Sequence, residues 1–224
     1  MNQIAILWDL DGTITDSAKG FYEAFKIILE KYHYSRFISE EEYKIKYFGT
    51  TFPSILDDIF GDSLSKSEKL TISEENFKLV NKNFCKKEYI QTIPGVEKVL
   101  SHFYRSGYPM AIASSSKLET IVIELQTLDL VQYFGNIISG EFLPSKPEPD
   151  VFLLAAQSLN VRPQHCIVFE DSLAGMQAAK AAGMTCIGIA TTKRVDEMTN
   201  ADIALCKYED FDMEIIEKLQ KNSS

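Results

Sequence analysis

One short stretch near the start of the chain constrains the fold more than any other: Ile4 to Asp16, reading Ile-Ala-Ile-Leu-Trp-Asp-Leu-Asp-Gly-Thr-Ile-Thr-Asp. Its apolar run, rich in Ile and Leu, reads as a buried strand. The run stops abruptly at two carboxylates, Asp9 and Asp11, whose i, i+2 spacing puts both on one side of an extended backbone. Gly12 then permits a tight turn, so the acids are expected at the carboxyl tip of a strand, where open α/β sheets bind ligands. Two anions held so close repel unless a cation, a shared proton or separate environments intervene. A hard divalent metal is the simplest resolution. A lone acidic pair after a strand also describes a solvated turn, and features far along the chain decide between the two.

A length of 224 residues suffices for one large domain or a core with a smaller companion. The 32 acidic residues against 23 basic ones, a net charge of -9, argue against a nucleic-acid partner or an anionic membrane surface, both of which select basic patches. An anionic small substrate would therefore need local positive charge. No stretch approaches the roughly 20 apolar residues that span a bilayer, and no basic region followed by a signal-type segment opens the chain, so a cytoplasmic location is expected. Cys85, Cys166, Cys186 and Cys206 lack Cys-x-x-Cys spacing and are expected to be reduced thiols. His33, His102 and His165 are equally dispersed, and no Ser/His/Asp triad is visible.

After the opening strand, Ser17 is placed to cap a helix whose apolar residues Phe21, Phe25, Ile28, Leu29 and Tyr32 recur with amphipathic period. From about Ser35 to Gln91 the sequence is dense in Glu, Lys and aromatics, with helical patterns over Ser39–Phe48, Pro53–Phe60 and Ser67–Phe84 and no buried strand. A small helical domain is implied, and Ile93-Pro94-Gly95 punctuates the return from it. Helices are then expected over Val96–Arg105, Lys117–Leu128, Asp150–Leu159, Ser172–Ala182 and Met213–Lys221. Strands are expected over Pro109–Ser114, Asn136–Ser139, Cys166–Glu170 and Thr185–Ile189, with a weak one at Asp202–Leu205. This alternation indicates βαβ units, an α/β fold with a parallel sheet and helices on its faces. Lys221 to Ser224 reads as a frayed tail.

Three more features lie at predicted strand ends. Ala113-Ser114-Ser115-Ser116-Lys117 puts a hydroxyl and free backbone amides before a helix, an arrangement that serves as an anion site or as an ordinary cap. In Ser145-Lys146-Pro147-Glu148-Pro149-Asp150, two prolines restrict the backbone around one lysine, as suits a cation that must stay near a charged group and also suits a solvated turn. In Phe169-Glu170-Asp171-Ser172 an apolar strand again ends in carboxylates, before the small-residue helix Ala174-Gly175-Met176-Gln177-Ala178-Ala179. Acids from two strands could share one metal, or Asp171 or Ser172 could simply cap that helix, worth about 1 kcal/mol.

In chain order these are an acidic pair, a hydroxyl, a lysine and a second acidic pair. The set resembles the haloacid dehalogenase superfamily of phosphotransferases, particularly its sugar-phosphate phosphatases and β-phosphoglucomutases, over essentially the whole chain. Asp9-Leu10-Asp11-Gly12-Thr13 matches the first family motif, Ser114 the second, Lys146 with its proline the third, and Glu170-Asp171 the fourth. The resemblance implies that Asp9 is a nucleophile forming an aspartyl phosphate and Asp11 the general acid and base. It implies Mg²⁺ bound by Asp9, by the Asp11 backbone carbonyl and by Asp171, with Glu170 a ligand or an outer partner. Ser114 and the Ser115 amide would hold phosphate, and Lys146 would neutralise charge between nucleophile and phosphoryl group.

The fold that the resemblance implies is a doubly wound parallel sheet with a helical cap inserted after the first strand, a catalytic core of residues 1–16 and 93–224 and a cap of residues 17–92. Specificity would then lie in the cap, with Phe48, Gly49, Thr50, Thr51 and Phe52 of the Tyr47–Phe52 loop as candidate residues. Phosphoglucomutases of this type carry a histidine in the first cap helix and an arginine after the cap-loop glycine. Here the matching positions are Phe21 and Phe52, which favours a phosphatase acting on a small phosphorylated metabolite over a mutase. A non-catalytic binding protein of the same fold would be expected to have lost a catalytic residue, and none is lost. True dehalogenases are disfavoured because Asp11 and the metal carboxylates serve phosphoryl chemistry. The sequence leaves the oligomeric state open.

Overall fold

In the computed structural model, residues 4–216 are described. Six parallel strands form one sheet in the order β5-β4-β1-β6-β7-β8: β1 Ala5–Trp8, β4 Met110–Ser114, β5 Asn136–Ser139, β6 Cys166–Glu170, β7 Thr185–Ile189 and β8 Ile203–Leu205. The chain builds outward from β1 to one edge through β4 and β5, then returns to the other side of β1 with β6, β7 and β8. β1 therefore lies at the point where the winding reverses, and the crevice there opens beyond the carboxyl ends of β1, β4 and β6. Trp8 is aligned with Ile112 on β4 and Phe169 on β6, so these three strands end nearly level.

Strand alternation divides β1 between two cores. Ile6 and Trp8 face large side chains and helices α5 (Val96–Arg105) and α6 (Leu118–Thr127), whereas Ala5 and Leu7 face the other side, where Ala111, Ala113, Cys166 and Cys186 meet α7 (Asp150–Ser158) and α8 (Leu173–Ala181). The small residues on that second face let α7 and α8 approach the sheet closely. Trp8 is fully buried and stacks on Phe169 at 4.2 Å between ring centroids, with Phe103 edge-on at 6.1 Å. The three cysteines Cys85, Cys166 and Cys186 are buried free thiols, and Cys206 is an exposed one.

The expected continuous strand from Ile4 is shorter than its apolar run. β1 ends at Trp8; Leu10 accepts three backbone N–H groups, from Thr13, Ile14 and Thr15, and folds the chain into a compact turn. Thr15 and Asp16 then form β2, which pairs antiparallel with β3, Gln91–Thr92. This two-residue ladder escapes a search for strands by period, because it is far too short to show one. It joins the two ends of the helical segment: α1 (Ala18–Lys31), α2 (Glu40–Lys46), α3 (Phe52–Phe60) and α4 (Lys66–Leu79), with a π-helical turn at Val80–Phe84. Ser65 and Glu68 form a capping box at the start of α4. Tyr22, Phe25 and Leu29 of α1 pack with Tyr43, Tyr47 and Ile55 into a separate aromatic-rich core.

Ser17 occupies the residue before α1, but its hydroxyl caps nothing: it donates to Asp11 instead. Most of the helix expected over Met213–Lys221, and the tail from Lys221 to Ser224, lie outside the described residues. Among those described, no helix is long and apolar enough to cross a membrane.

Trp8 is the chain's single tryptophan. Trp8→Ala is expected to cost about 3–5 kcal/mol of unfolding free energy in urea titrations, by lost burial and a residual cavity. Trp8→Phe should cost clearly less, since the indole N–H has no partner to lose.

Candidate active site

At the carboxyl end of β1 the two acids take different partners. The Asp9 carboxylate is 2.6 Å from the Lys146 ammonium, which is also 2.7 Å from Glu170 at the end of β6. All three side chains are at most 9% exposed. Lys146 further lies 4.7 Å from the centre of the Phe152 ring, so its charge is bounded by two carboxylates and an aromatic face. Asp11, by contrast, accepts 2.6 Å from the Ser17 hydroxyl and 2.7 Å from that of Ser116. The i, i+2 pair is thus resolved partly by separate environments: β1 has already ended, and the turn sends the two carboxylates to different donors.

Asp9, Glu170 and Asp171 are all buried, and each offers an oxygen within 4.8 Å of the others. Three carboxylates facing one ammonium leave a surplus of negative charge, and an all-oxygen donor set suits a hard divalent cation. The Asp11 carboxylate is not part of this cluster. Burial lifts the Asp9 carboxyl well above its ordinary range, with Lys146 opposing and Glu170 and Asp171 reinforcing. Asp171 is pushed up to about 7, first by burial and then by Glu170. Burial works against the charge on Lys146, but Asp9 and Glu170 outweigh it and raise its pKa, so the ammonium stays charged. Burial also raises Asp11, against the hydroxyl donors of Ser17 and Ser116.

Two glycines make this packing possible. A Cβ on Gly12, whose φ is +88°, would stand 2.4 Å from an Asp171 oxygen, and one on Gly175 would stand 1.7 Å from a Glu170 oxygen. Glu170 thus sits where only a bare backbone fits, its other oxygen accepting from the Ser172 N–H at 2.7 Å and hydroxyl at 2.9 Å. Ser172, rather than Asp171, caps α8, accepting from the Gly175 N–H. Ser114 is buried at the end of β4 and accepts from the Ser116 N–H at 3.0 Å, while Ser115 beside it lines the cavity. No side chain caps α6. The serine run is therefore spent on the site and not on the helix.

Several residues without an assigned role in the sequence also belong here. Thr13 donates 3.0 Å to Asp171, and Thr192, from the loop after β7, donates to the same carboxylate. Thr191 donates to the Gly12 carbonyl. Hydroxyls directly after a predicted strand were the available signal for this pair. Ser116 was visible within its run but carried no motif of its own. Glu124 is fully buried, accepts 3.0 Å from Thr15, and is pushed well above the usual carboxylate range by burial and by Asp11. Its signal was a carboxylate in the apolar stripe of α6, between Ile121 and Leu125.

Above these residues lies a cavity of about 580 Å³ between the helical segment and the sheet. Asp9, Asp11, Ser114, Ser115, Lys146, Glu170 and Asp171 line its floor, and Phe48, Gly49, Thr50, Thr51 and Phe52 its far wall. Every site residue expected from the sequence meets this one space. Phe21 and Phe52 both line it as well. Lys117, at the mouth, pairs with Glu74 of α4 and with Glu141 at 3.6 Å.

A doubly wound sheet with a buried acidic cluster at its winding reversal, roofed by an inserted helical segment, defines an α/β enzyme of the haloacid dehalogenase type. The family model for haloacid dehalogenase-like hydrolases matches residues 6–189, and the chain belongs to that family. A phosphorylated carbohydrates phosphatase of Thermotoga maritima is 28% identical over 186 residues, covering 80% of this chain and 82% of that protein. A β-phosphoglucomutase of Bacillus subtilis is 30% identical over 218 residues, covering 95% and 93%. The crystal structure of a haloacid dehalogenase-type hydrolase, family IA, variant 3, from Entamoeba histolytica superposes with a TM-score of 0.86 at 28% identity, covering 99% of this chain and all of that one.

A carboxyl raised by the fold destabilises the fold where it must ionise. With the folded pKa of Asp171 at about 7 against an unfolded value of about 3.9, the cation-free protein binds more protons folded than unfolded across that window. Its stability should fall as pH rises from about 4 through 7. A divalent cation should reverse this, so the increase in Tm on adding it, against a chelator control, should be larger at pH 8 than at pH 5.5.

Proposed function

We propose that this chain is a Mg²⁺-dependent phosphomonoesterase that hydrolyses a small phosphorylated metabolite through an aspartyl phosphate. The observation that carries the reading is the division of the acidic pair: Asp9 beside the buried Lys146 and the two β6-end carboxylates, Asp11 held apart by two hydroxyls. The names of the Thermotoga and Bacillus relatives point to phosphorylated sugars as the substrate class. In this reading residues 1–16 and 93–224 form the catalytic core and 17–92 the cap.

A carboxylate oxygen of Asp9 attacks phosphorus, forming the Asp9 O–P bond as the ester P–O bond breaks. Asp11, whose raised pKa favours the protonated form, gives its proton to the departing alkoxide. Water then attacks the aspartyl phosphate, Asp11 takes a proton from it, and Asp9 is released with inorganic phosphate. Ser114 and the Ser115 amide hold phosphoryl oxygens, and Lys146 orients Asp9 and offsets charge shared between it and the phosphoryl group. Asp9, Glu170, Asp171 and the Asp11 backbone carbonyl would hold Mg²⁺. The bound ion would supply positive charge against the combined negative charge of carboxylate and phosphate. Enclosure under the cap keeps bulk water from the reacting groups.

The Phe21 and Phe52 side chains favour hydrolysis over the mutase alternative, because neither can clamp the second phosphate of a bisphosphate. Asp9→Asn should abolish turnover of p-nitrophenyl phosphate, and unchanged turnover would overturn the reading. Asp11→Asn should lower kcat by a factor of about 10² to 10⁴, the usual size of an acid–base contribution. The mutase alternative predicts that β-glucose 1-phosphate with a bisphosphate primer yields glucose 6-phosphate faster than free phosphate.

A further inference from the structure

The loop after β7 commits three consecutive side chains to three different parts of the molecule. The Thr191 hydroxyl donates to the Gly12 carbonyl in the turn after β1, the Thr192 hydroxyl donates to the Asp171 carboxylate, and the Lys193 ammonium donates 3.2 Å to the Ile45 carbonyl of α2. Threonines in a turn ordinarily bond nearby backbone, which satisfies the turn and nothing else. Such local partners are within reach here, the Ile189 carbonyl 3.5 Å from Thr191 and the Asp171 carbonyl 3.1 Å from Thr192, yet both hydroxyls lie closer to the distant groups. The turn that follows is capped by Glu197 on the Arg194 N–H and needs none of the three.

Asp171 has a particular need of these donors. It is 3% exposed and meets two more buried carboxylates, Asp9 and Glu170, within 4.8 Å. Among the described residues no ion pair reaches it, because Lys146 is taken by the other two. Like charges push the carboxylate away from the cluster. Thr13 on one of its oxygens, at 3.0 Å, and Thr192 on the other hold it in place. Gly12, which Thr191 holds, directly follows Asp11, whose backbone carbonyl belongs to the proposed cation set. Adjacent residues of one loop thus secure the carboxylate and the turn, and the next residue is tied to the helix that leads into the cavity wall at 48–52.

We propose that Thr191, Thr192 and Lys193 form a strap that couples cation binding to the seating of the roof, with Thr192 the residue that positions Asp171 and Lys193 the anchor on the roof. This rests on the Mg²⁺ assignment in the phosphomonoesterase reading and adds a means of regulating that site. The cation binds the fraction of molecules whose Asp171 faces the cluster, so its apparent affinity is the intrinsic one reduced by that fraction. Thr192 raises the fraction directly. Lys193 raises it by tethering the far end of the loop, which removes backbone freedom that would otherwise carry Thr192 off the carboxylate. By linkage, a bound cation favours the seated roof by the same factor as the seated roof favours the cation.

The test measures the Kd of Mg²⁺ for the cation-stripped full chain by titration calorimetry, with no turnover involved. Thr192→Val, which removes the hydroxyl and keeps the shape, should weaken Mg²⁺ binding about tenfold or more, the usual scale for a partner behind a metal ligand. Thr192→Ser, which keeps the donor, should stay within about threefold of the unaltered protein. Lys193→Met should weaken binding about threefold or more, and only through Thr192: added to Thr192→Val, it should change Kd by less than about 1.5-fold. Effects that multiply in the double variant, an unchanged Kd in Thr192→Val or Lys193→Met, or a serine variant as weak as the valine one would each overturn the strap. Melting temperatures without cation verify folding, and Thr192→Ala replaces the valine variant in the cycle if that one does not fold. Hydrogen exchange gives the reciprocal readout: saturating Mg²⁺ should slow amide exchange over residues 40–52 in the unaltered protein and much less in Lys193→Met. Equal slowing in both would overturn the link to the roof. Absence of Mg²⁺ binding by the unaltered protein at about 10 mM would overturn the cation assignment and the strap together; binding without these shifts overturns the strap alone.

Discussion

The arrangement of the site depends on one buried ammonium. Lys146 sits between Asp9 and Glu170, each within 2.7 Å, in a space that almost excludes solvent. Stripping three charged groups of water is costly, and the mutual attraction offsets that cost only when geometry is tight and the remaining lone pairs are satisfied. The surrounding fold meets both conditions. Phe152 closes one side of the ammonium, Ser172 occupies the spare oxygen of Glu170, and Gly175 leaves the room that any side chain would take. A third carboxylate, Asp171, is held by Thr13 and Thr192 at the rim of the same cluster, so the negative charge exceeds what the lysine can balance. That excess is the physical reason the site suits a cation.

The sheet brings these groups together by winding in both directions from β1. Acids leave the ends of β1 and β6, the serines leave β4, and these three strands are neighbours. Lys146 arrives from a loop that follows β5, and the Thr191–Thr192 pair from the end of β7. Distances of more than a hundred residues along the chain collapse to single hydrogen bonds because each group sits at a carboxyl strand end along the same edge. The two unequal faces of the sheet, one built on large aromatics and one on Ala and Cys, fix the helices whose first turns border the crevice.

Much of this was legible in the sequence, for identifiable reasons. Strands buried on both faces give long apolar runs, and β1, β4 and β6 each end in chemistry that contrasts sharply with the run before it. The acids, the serines and the proline-flanked lysine stood out on that contrast. Groups that act on other polar groups were harder to see. Ser17 looked like a helix cap, because a serine before an amphipathic run has that meaning far more often than it has the meaning of a donor to a carboxylate six residues back. Glu124 lies on a helix whose apolar residues dominate the pattern. The ladder between β2 and β3 has no periodicity to read, since each strand contributes two residues.

That ladder has a mechanical consequence. The helical segment departs from and returns to the sheet domain through two short strands hydrogen-bonded side by side, so its attachment behaves as a single stiff stalk and not as two independent tethers. Ser17, the first residue beyond the stalk, holds one oxygen of Asp11, while Thr15 within the stalk holds the buried Glu124. A tilt of the roof would pull that hydroxyl away from the carboxylate below it. The roof's attachment and Asp11 are thus parts of one linkage, and the posture of the roof would be registered in the hydrogen bonding of a single carboxylate.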